Sequence, residues 1–151
     1  NILAAEAAAR LALRGGDMQR LTARTDELLA LEADNAFGHY LKGVGHIARG
    51  DHDAAKRSLR RSLGSARSVE ALNNLAWMYA KCDRNLEQAL ELAQRAVGLA
   101  PSSPVFLDTL AEVEFRNGLV ERALESMRGC VKLDPRDQHY RENLVRYRAG
   151  R

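Results

Sequence analysis

The sequence predicts an all-α protein of repeated antiparallel helix hairpins, and three observations lead to that fold class. Ala, Leu and Arg, which favour helices over strands, are abundant, whereas aromatic residues make up only 5% of the chain. Glycines such as Gly50 and Gly118 stand between apolar-periodic stretches, where helices end. Two similar segments close on Leu99-Ala100-Pro101 and Leu133-Asp134-Pro135, whose prolines are 34 positions apart. Such a period is typical of stacked hairpins, because a single hairpin cannot bury its apolar face alone.

The first predicted hairpin covers residues 2–35. Gly15-Gly16 separate its two apolar-periodic stretches, because glycine readily adopts the left-handed conformation that ends a helix. Ala9 is small, as a residue must be where two antiparallel helices approach closely. Ala33 stands where the later hairpins have their closing proline. The recurring positions of this hairpin are Ala5, Ala8-Ala9, Ala12, Gly16-Asp17, Leu21, Thr25 and Leu28.

The second predicted hairpin covers residues 36–68 and keeps the same spacing. Gly43 and Ala55 are the small residues at the expected crossing of its helices, and Gly50 divides the two stretches. Arg67 replaces the closing proline. The recurring positions of this hairpin are His39, Lys42-Gly43, His46, Gly50-Asp51, Ala55, Leu59 and Ser62.

The third and fourth predicted hairpins cover residues 69–103 and 104–137. Asn85, with Gln88 three positions later, predicts a capping box, and Ser103-Pro104 predicts an N-cap followed by proline in the first turn of a helix. The recurring positions of the third hairpin are Leu72, Leu75-Ala76, Tyr79, Ala89, Ala93 and Ala96. Those of the fourth are Leu107, Leu110-Ala111, Glu114, Gly118, Ala123, Met127 and Cys130.

The last segment, residues 138–151, is predicted to be a capping helix. Asp137 is a suitable N-cap, and Tyr140, Leu144 and Tyr147 follow on one stripe of the helix. Such a helix would cover the apolar edge of the fourth hairpin, which otherwise favours aggregation. No comparable cap precedes the first hairpin, so we expect that the N-terminal end either continues upstream or self-associates.

These segments resemble the tetratricopeptide-repeat (TPR) family. The family pattern runs large, leucine, small, aromatic along the first helix of each hairpin, and small, aromatic, small along the second. The resemblance covers about the whole chain and is strongest over residues 72–135. Lys42 departs from the expected leucine, with Leu41 beside it, and Glu114 departs from the expected aromatic residue, with Phe115 beside it. The resemblance implies a right-handed α-solenoid of four hairpins over residues 1–137, followed by the capping helix.

The sequence contains no convincing catalytic, cofactor-binding or metal-ligating motif, so we predict that the protein is not an enzyme and carries no cofactor. Gly43-Val44-Gly45 lies inside a predicted helix and lacks the lysine and hydroxyl of a phosphate loop. In the register of the family, His39 and His46 replace large residues packed between helices, and packing is the favoured interpretation. The alternative is a metal cluster of His39, His46, Asp51, His52 and Asp53.

The two cysteines do not form the spaced framework that small secreted domains use, so free thiols are expected. Cys82 lies near a turn, and no histidine or basic cluster adjoins it in sequence that would activate it. Cys130 falls where a small core residue is expected, so we predict a packing role.

The sequence bounds the compartment only weakly. No apolar run approaches the roughly 18 residues that span a bilayer, and no basic segment followed by an apolar one begins the chain. The chain starts at Asn1 rather than Met. We predict a soluble protein without a membrane span; the cytoplasm is favoured, and the periplasm or secretion stays open.

The formal net charge of +3 comes from an excess of arginine. The basic residues are interleaved with acidic ones, so nucleic-acid binding gains only slight support from the charge. The densest basic group is Arg57, Arg60, Arg61 and Arg67. The resemblance implies that most of it lies on a solvated convex face, and no aromatic residues accompany it to stack on bases.

The resemblance implies that the first helix of each hairpin lines a concave groove, which would bind a protein or peptide. The main predicted anchors are Phe37, Tyr40, Val44 and Ile47, together with Trp77. The competing interpretation is that Phe37 and Tyr40 complete the core. The predicted groove residues are Phe37, Tyr40, Val44, Ile47, Asn73, Asn74, Trp77, Lys81, Asp108, Glu112, Phe115 and Arg116.

The chaperone-binding branch of the family grips a C-terminal carboxylate with lysine, arginine and asparagine residues. Only Asn74 resembles that set here, and acidic residues such as Asp108 and Glu112 would disrupt it. The resemblance therefore implies a ligand that is apolar in its middle, either an amphipathic helix or an extended segment.

The predicted function is a protein-interaction scaffold or adaptor. The alternative is a regulatory or substrate-presenting part of a larger enzyme or of a secretion or assembly complex, which a catalytic domain outside residues 1–151 would reveal. Nucleic-acid binding is the least favoured function, and it would show affinity that falls steeply with salt.

Overall fold

A computed structural model describes residues 1–63, 69–81 and 85–150. Within these ranges the regular structure is α-helical throughout, which confirms the predicted all-α class. Arg67 and Cys82 lie outside the described residues. The helices are α1 (Ile2–Arg14), α2 (Met18–Leu31), α3 (Ala36–Arg49), α4 (His52–Ser62), α5 (Val69–Lys81), α6 (Leu86–Leu99), α7 (Pro104–Arg116), α8 (Val120–Leu133) and α9 (Gln138–Arg148).

The chain forms two compact units, Asn1–Ala71 and Leu72–Arg151. In the N-terminal unit, α2 packs against α1 and α3, and α3 packs against α4. In the C-terminal unit, α7 packs against α6 and α8, and α9 packs against α8. Each unit has its own apolar core. The core of the N-terminal unit includes Ala9, Ala12, Leu21, Leu28, Phe37 and Leu41.

Small residues lie where paired helices touch. Ala9, Ala55, Ala111 and Ala123 are fully buried. A methyl group placed on Gly43 would lie 2.8 Å from the Cδ2 atom of Leu59 on α4, which is closer than carbon atoms approach. The approach of α3 to α4 therefore depends on the missing side chain at Gly43.

Most helix ends follow the predicted signals. Gly50 ends α3 in the left-handed conformation with φ 76°, which costs glycine no steric strain. Ser103 caps α7 by accepting a hydrogen bond from the Phe106 amide at 3.4 Å, and Pro104 occupies the first turn.

The capping box predicted at Asn85 is wrong in its details. Helix α6 does begin at Leu86, directly after Asn85, but the Asn85 side chain accepts no backbone hydrogen bond. Its Nδ2 atom instead donates to Oε1 of Gln88 at 3.0 Å. The polar side chains at this helix start therefore satisfy each other rather than the free backbone amides.

Helix α9 follows the turn after Pro135 and begins after Asp137, whose side chain accepts from the His139 amide at 2.8 Å. Its Tyr140 and Tyr147 are buried in the core of the C-terminal unit. Val145 stays 65% exposed on the opposite side. Helix α9 is therefore amphipathic, and its apolar stripe extends the core beyond α8.

Candidate functional site

In the N-terminal unit, an aromatic pair joins α1 and α3. The Phe37 and Tyr40 rings on α3 stack with their centroids 6.0 Å apart. The Arg10 guanidinium of α1 lies 4.3 Å from the centroid of Phe37, a cation–π distance. Phe37 is buried among the core residues, whereas Tyr40 is only half-buried. Phe37 therefore lies on the core side of this pair, and Tyr40 lies on the solvent side.

Tyr40, Val44 and Ile47 are half-buried and follow one another at helical spacing on α3. We call these three residues the α3 strip. Tyr40 and Val44 also pack against the core of the N-terminal unit, so they fill the core with one side and face solvent with the other. The strip is therefore an apolar surface that is partly open to solvent and partly packed against the core.

In the C-terminal unit, the predicted residues of α5 differ in exposure. Trp77, the sole tryptophan of the sequence, is 38% exposed, and Lys81 is exposed. Asn74 is half-buried. Asn73 is buried, and its Oδ1 atom has no hydrogen-bond partner among the described residues. Trp77 is the apolar side chain of this set that a partner can reach.

The predicted residues of α7 are engaged by α9. Glu112 is buried and accepts hydrogen bonds at 2.8 Å from both Arg116 Nε and Tyr147 Oη, and it also pairs with Arg146. Burial alone would raise the pKa of Glu112. The hydrogen bonds from Arg116, Tyr147 and Arg146 outweigh burial and lower that pKa below its usual value.

Two further α7 residues, Asp108 and Phe115, also contact α9. Asp108 lies 3.0 Å from Nε2 of His139, and burial raises the pKa of its carboxyl despite hydrogen bonds from His139 and Asn143. The Phe115 ring stacks on Tyr147 with centroids 4.5 Å apart. Helix α9 thus covers the part of α7 that carries Asp108, Glu112 and Phe115. The sequence pattern predicts that α9 covers the end of the fourth hairpin, but it does not predict this contact with α7.

Arg116 of α7 contacts α5 as well as Glu112. Its Nη1 atom donates to the backbone oxygen of Ala80 on α5 at 3.0 Å, while its Nε atom pairs with Glu112. It therefore links α5 to the Glu112 cluster, and its side chain is largely committed to contacts inside the C-terminal unit.

The histidines of α3 lie in unlike surroundings. His39 is buried, and its Nε2 atom donates to the Ala33 carbonyl at 2.9 Å. His46 is half-buried, with Nδ1 3.7 Å from Asp51 Oδ2. Among residues 1–63, 69–81 and 85–150, no three His, Cys, Asp or Glu side chains are placed to hold a metal ion.

Cys130 is buried, and its thiol donates to the Pro104 carbonyl at 3.4 Å. Burial raises the pKa of the thiol to about 12, so it stays protonated at neutral pH. The predicted packing role fits this environment.

A cavity lies on α3 and α4 of the N-terminal unit. It has a volume of about 620 Å³ and is rich in cationic side chains. We call it the basic cleft. Its charged and titratable residues are His39, Lys42, His46, Asp51, Arg57, Arg60 and Arg61.

In the described ranges, no helix combines the length and the apolar character needed to cross a bilayer.

No protein-family model and no curated protein sequence matches the chain. Solved structures do. Residues 41 to the end of MamA from Desulfovibrio magneticus RS-1 are 19% identical with a TM-score of 0.79, over 98% of this chain and 84% of that one. YrrB, described as a TPR protein with an unusual peptide-binding site, is 21% identical with a TM-score of 0.71, over 93% and 73%.

A third similar structure is the first TPR of Spaghetti (RPAP3), bound to the HSP90 peptide SRMEEVD. It is 17% identical with a TM-score of 0.71, over 76% of this chain and 91% of that one. At these identities the similarity establishes the fold and does not establish a shared ligand.

Proposed function

We propose that this chain, which has the tetratricopeptide-repeat fold, is a protein-interaction module that binds a peptide or an amphipathic helix through the first helices of its hairpins. The α3 strip carries the proposal. Tyr40, Val44 and Ile47 form an apolar surface that remains partly open to solvent, although neighbouring core residues are fully buried. Apolar surface that is left accessible to solvent is typical of binding sites.

The fold supports the proposal through proteins of similar structure. YrrB has a peptide-binding site, and the first TPR of Spaghetti is bound to a peptide. These statements concern those two proteins. They make peptide binding a reasonable expectation for a chain with the same fold, while the ligand has to be inferred from this chain's own side chains.

The α3 strip favours a ligand with apolar side chains at helical or alternating spacing. Arg10, over the Phe37 ring, adds a cation next to the strip. A ligand with apolar residues in its middle and an acidic residue beside them would match both features. Of the lysine, arginine and asparagine set that grips a C-terminal carboxylate in the chaperone-binding branch, the family resemblance assigns only Asn74 to this groove, so we expect no such grip on a ligand here.

Trp77 is the proposed anchor in the C-terminal unit. Tryptophan is enriched among residues whose truncation strongly weakens binding. Because Trp77 is the sole tryptophan and is 38% exposed, its fluorescence emission should shift when a ligand covers it. That shift is a direct readout of binding at this position.

The proposal gives the chain no catalytic role. The buried carboxylates of the C-terminal unit, Glu112 and Glu114, each accept hydrogen bonds from neighbouring side chains. They are thus occupied in holding helices together.

The test is a binding titration with matched variants. A partner is captured with the full chain, identified by mass spectrometry and reduced to a synthetic peptide, whose affinity for wild type, Tyr40→Ala and Trp77→Phe is measured by calorimetry. Tyr40→Ala should weaken binding by about 2 kcal/mol, roughly 30-fold. The control is Leu31→Ala, which truncates an apolar side chain 55% exposed at the end of α2.

Thermal unfolding of the same variants separates binding from folding. A binding residue lowers affinity with a small change in melting temperature, whereas a purely structural residue lowers stability. If Tyr40→Ala and Trp77→Phe bind the peptide as tightly as wild type, or if Leu31→Ala alone loses it, the proposed surface is wrong.

A further inference from the structure

The second hairpin breaks the repeat pattern on one face of α3. At three equivalent positions the third hairpin has Leu72, Leu75 and Tyr79, which are at most 3% exposed. The second hairpin has His39, Lys42 and His46 there. A polar side chain lowers stability when it replaces an apolar residue that would pack in the core, so such a replacement suggests a functional role. Here all three border an open cavity, the basic cleft, although the side chain of His39 is itself buried.

The charges around the cleft are unbalanced. Four cationic side chains, those of Lys42, Arg57, Arg60 and Arg61, face a single carboxylate, that of Asp51. Asp51 is already engaged, because it accepts from the Ala54 amide at 3.2 Å as the N-cap of α4 and lies 3.7 Å from His46.

Three of these cations have no carboxylate of their own. Within the described residues, Lys42, Arg57 and Arg61 form no ion pair, whereas many other charged side chains of the chain do. Like charges gathered in one concavity repel each other and concentrate a positive potential there. A bound anion would relieve this repulsion.

His46, which also lines the cleft, is affected by the same cations. Burial lowers the pKa of His46, and Arg49, Lys42 and Arg57 lower it further, against the opposing effect of Asp51. Burial is the largest cause of this lowering, and Lys42 and Arg57 of the cleft add to it because they disfavour a further positive charge nearby.

We propose that the basic cleft binds a small ligand that carries two or more phosphate groups. Arginine guanidinium groups present planar pairs of N–H donors that match phosphate oxygens, and Lys42 adds a point charge. Ser58, which also lines the cleft, offers a hydroxyl donor. The volume of about 620 Å³ is that of a small-molecule site.

The lining favours a compact polyphosphate over single-stranded nucleic acid. Binding of single strands combines a basic groove with aromatic side chains on which bases stack. The residues that line the cleft include no phenylalanine, tyrosine or tryptophan. The cleft is built to recognise charge and not bases.

The experiment titrates inorganic triphosphate into the full chain at physiological salt and follows the heat of binding. We expect saturable binding at one site, weakened at least ten-fold in the double variant Lys42→Gln with Arg57→Gln. The control is Arg95→Gln, an exposed arginine on α6 of the C-terminal unit, which should bind like wild type. Tyr40→Ala should also bind triphosphate normally, which separates this site from the proposed peptide surface.

A second variant guards against misfolding. Lys42→Leu restores the repeat pattern, so it should keep or raise the melting temperature while it weakens triphosphate binding. Absence of saturable binding to wild type, or equal weakening by Arg95→Gln, would overturn the proposal. So would a short single-stranded DNA that binds the cleft more tightly than triphosphate with a steep salt dependence, since that outcome identifies a nucleic-acid site.

Discussion

Glu112 is the residue on which the contacts between α7 and α9 converge. Its carboxylate accepts hydrogen bonds from Arg116 and Tyr147 and pairs with Arg146. A buried carboxylate with several donors is stable only as a complete set, because removal of one partner leaves the others desolvated without compensation. Glu112 therefore stabilises the C-terminal unit, whatever it contributes to binding.

Glu112→Gln should lower the free energy of unfolding by about 2 kcal/mol, a value reduced for the partial exposure of its arginine partners. Urea unfolding measures the change. Glu121→Gln, an exposed carboxylate in the first turn of α8, should change stability by less than about 0.5 kcal/mol. Equal effects of the two substitutions would contradict a special role for Glu112.

Glu114 gives a prediction about pH. It is buried, accepts from Ser126 Oγ at 2.8 Å and pairs with Arg122 at 3.2 Å. Burial raises its pKa above the ordinary 4.5, and its hydrogen bonds only partly oppose this. Because the pKa of Glu114 is higher in the folded state than in the unfolded state, protonation of Glu114 favours folding. This contribution to the free energy of unfolding is fully present below the unfolded-state pKa. It is lost as pH rises through the folded pKa.

Glu114→Gln should therefore remove part of the pH dependence. The free energy of unfolding of the variant minus that of wild type should be larger at pH 7 than at pH 4.5. The reason is that wild type must bury a charged Glu114 at pH 7, whereas glutamine carries no charge to desolvate. Unfolding in urea at both pH values measures this difference. A difference that is constant over the range would show that Glu114 does not titrate abnormally.

Among the elements, α9 links the packing of the C-terminal unit to its solubility. It buries Tyr140 and Tyr147 against α7 and α8. A chain that ends at Pro135 should expose this apolar surface. We expect the free energy of unfolding to fall by at least about 3 kcal/mol, the cost of removing one large buried aromatic side chain, and light scattering to show self-association. A chain that lacks only Gly150 and Arg151 is the control, and it should remain monodisperse.

The crossing of α3 and α4 gives a prediction about packing. Gly43→Ala would place a methyl group 2.8 Å from Leu59, which is fully buried and has little room to move. We expect a loss of about 1–3 kcal/mol from overpacking. Gly98→Ala is the matched control, because no atom lies within 4 Å of the new methyl group. There the higher helix propensity of alanine should leave stability unchanged or raise it.

For the whole molecule, the repeat pattern was enough to predict the all-α class and several helix ends, because these depend on local chemistry. Gly50 and Ser103-Pro104 are examples, since the backbone conformation they favour is decided within a few residues. The pattern also predicts which residues share a helix face. It does not predict what covers that face.

The predicted site shows this limit. Asp108, Glu112 and Phe115 share a face of α7, but their accessibility depends on α9, which follows much later in the chain. A signal was present in the opposite charges of Arg146 on α9 and Glu112 on α7, yet pairing across helices cannot be assigned without a register. The sequence does not predict the basic cleft for a similar reason, because its arginines resemble a solvated face unless they are considered together with Lys42 of the preceding helix.

The burial of Cys130 makes the thiol a chemical probe of motion. Its side chain is fully buried, and its pKa of about 12 leaves almost no thiolate at neutral pH. An alkylating reagent can reach it only when α8 and its neighbours separate, so the rate of alkylation measures how often the C-terminal unit opens. In a Cys82→Ser background, that rate gives the free energy of opening without any denaturant. A ligand that holds the unit closed would slow alkylation in proportion to its occupancy.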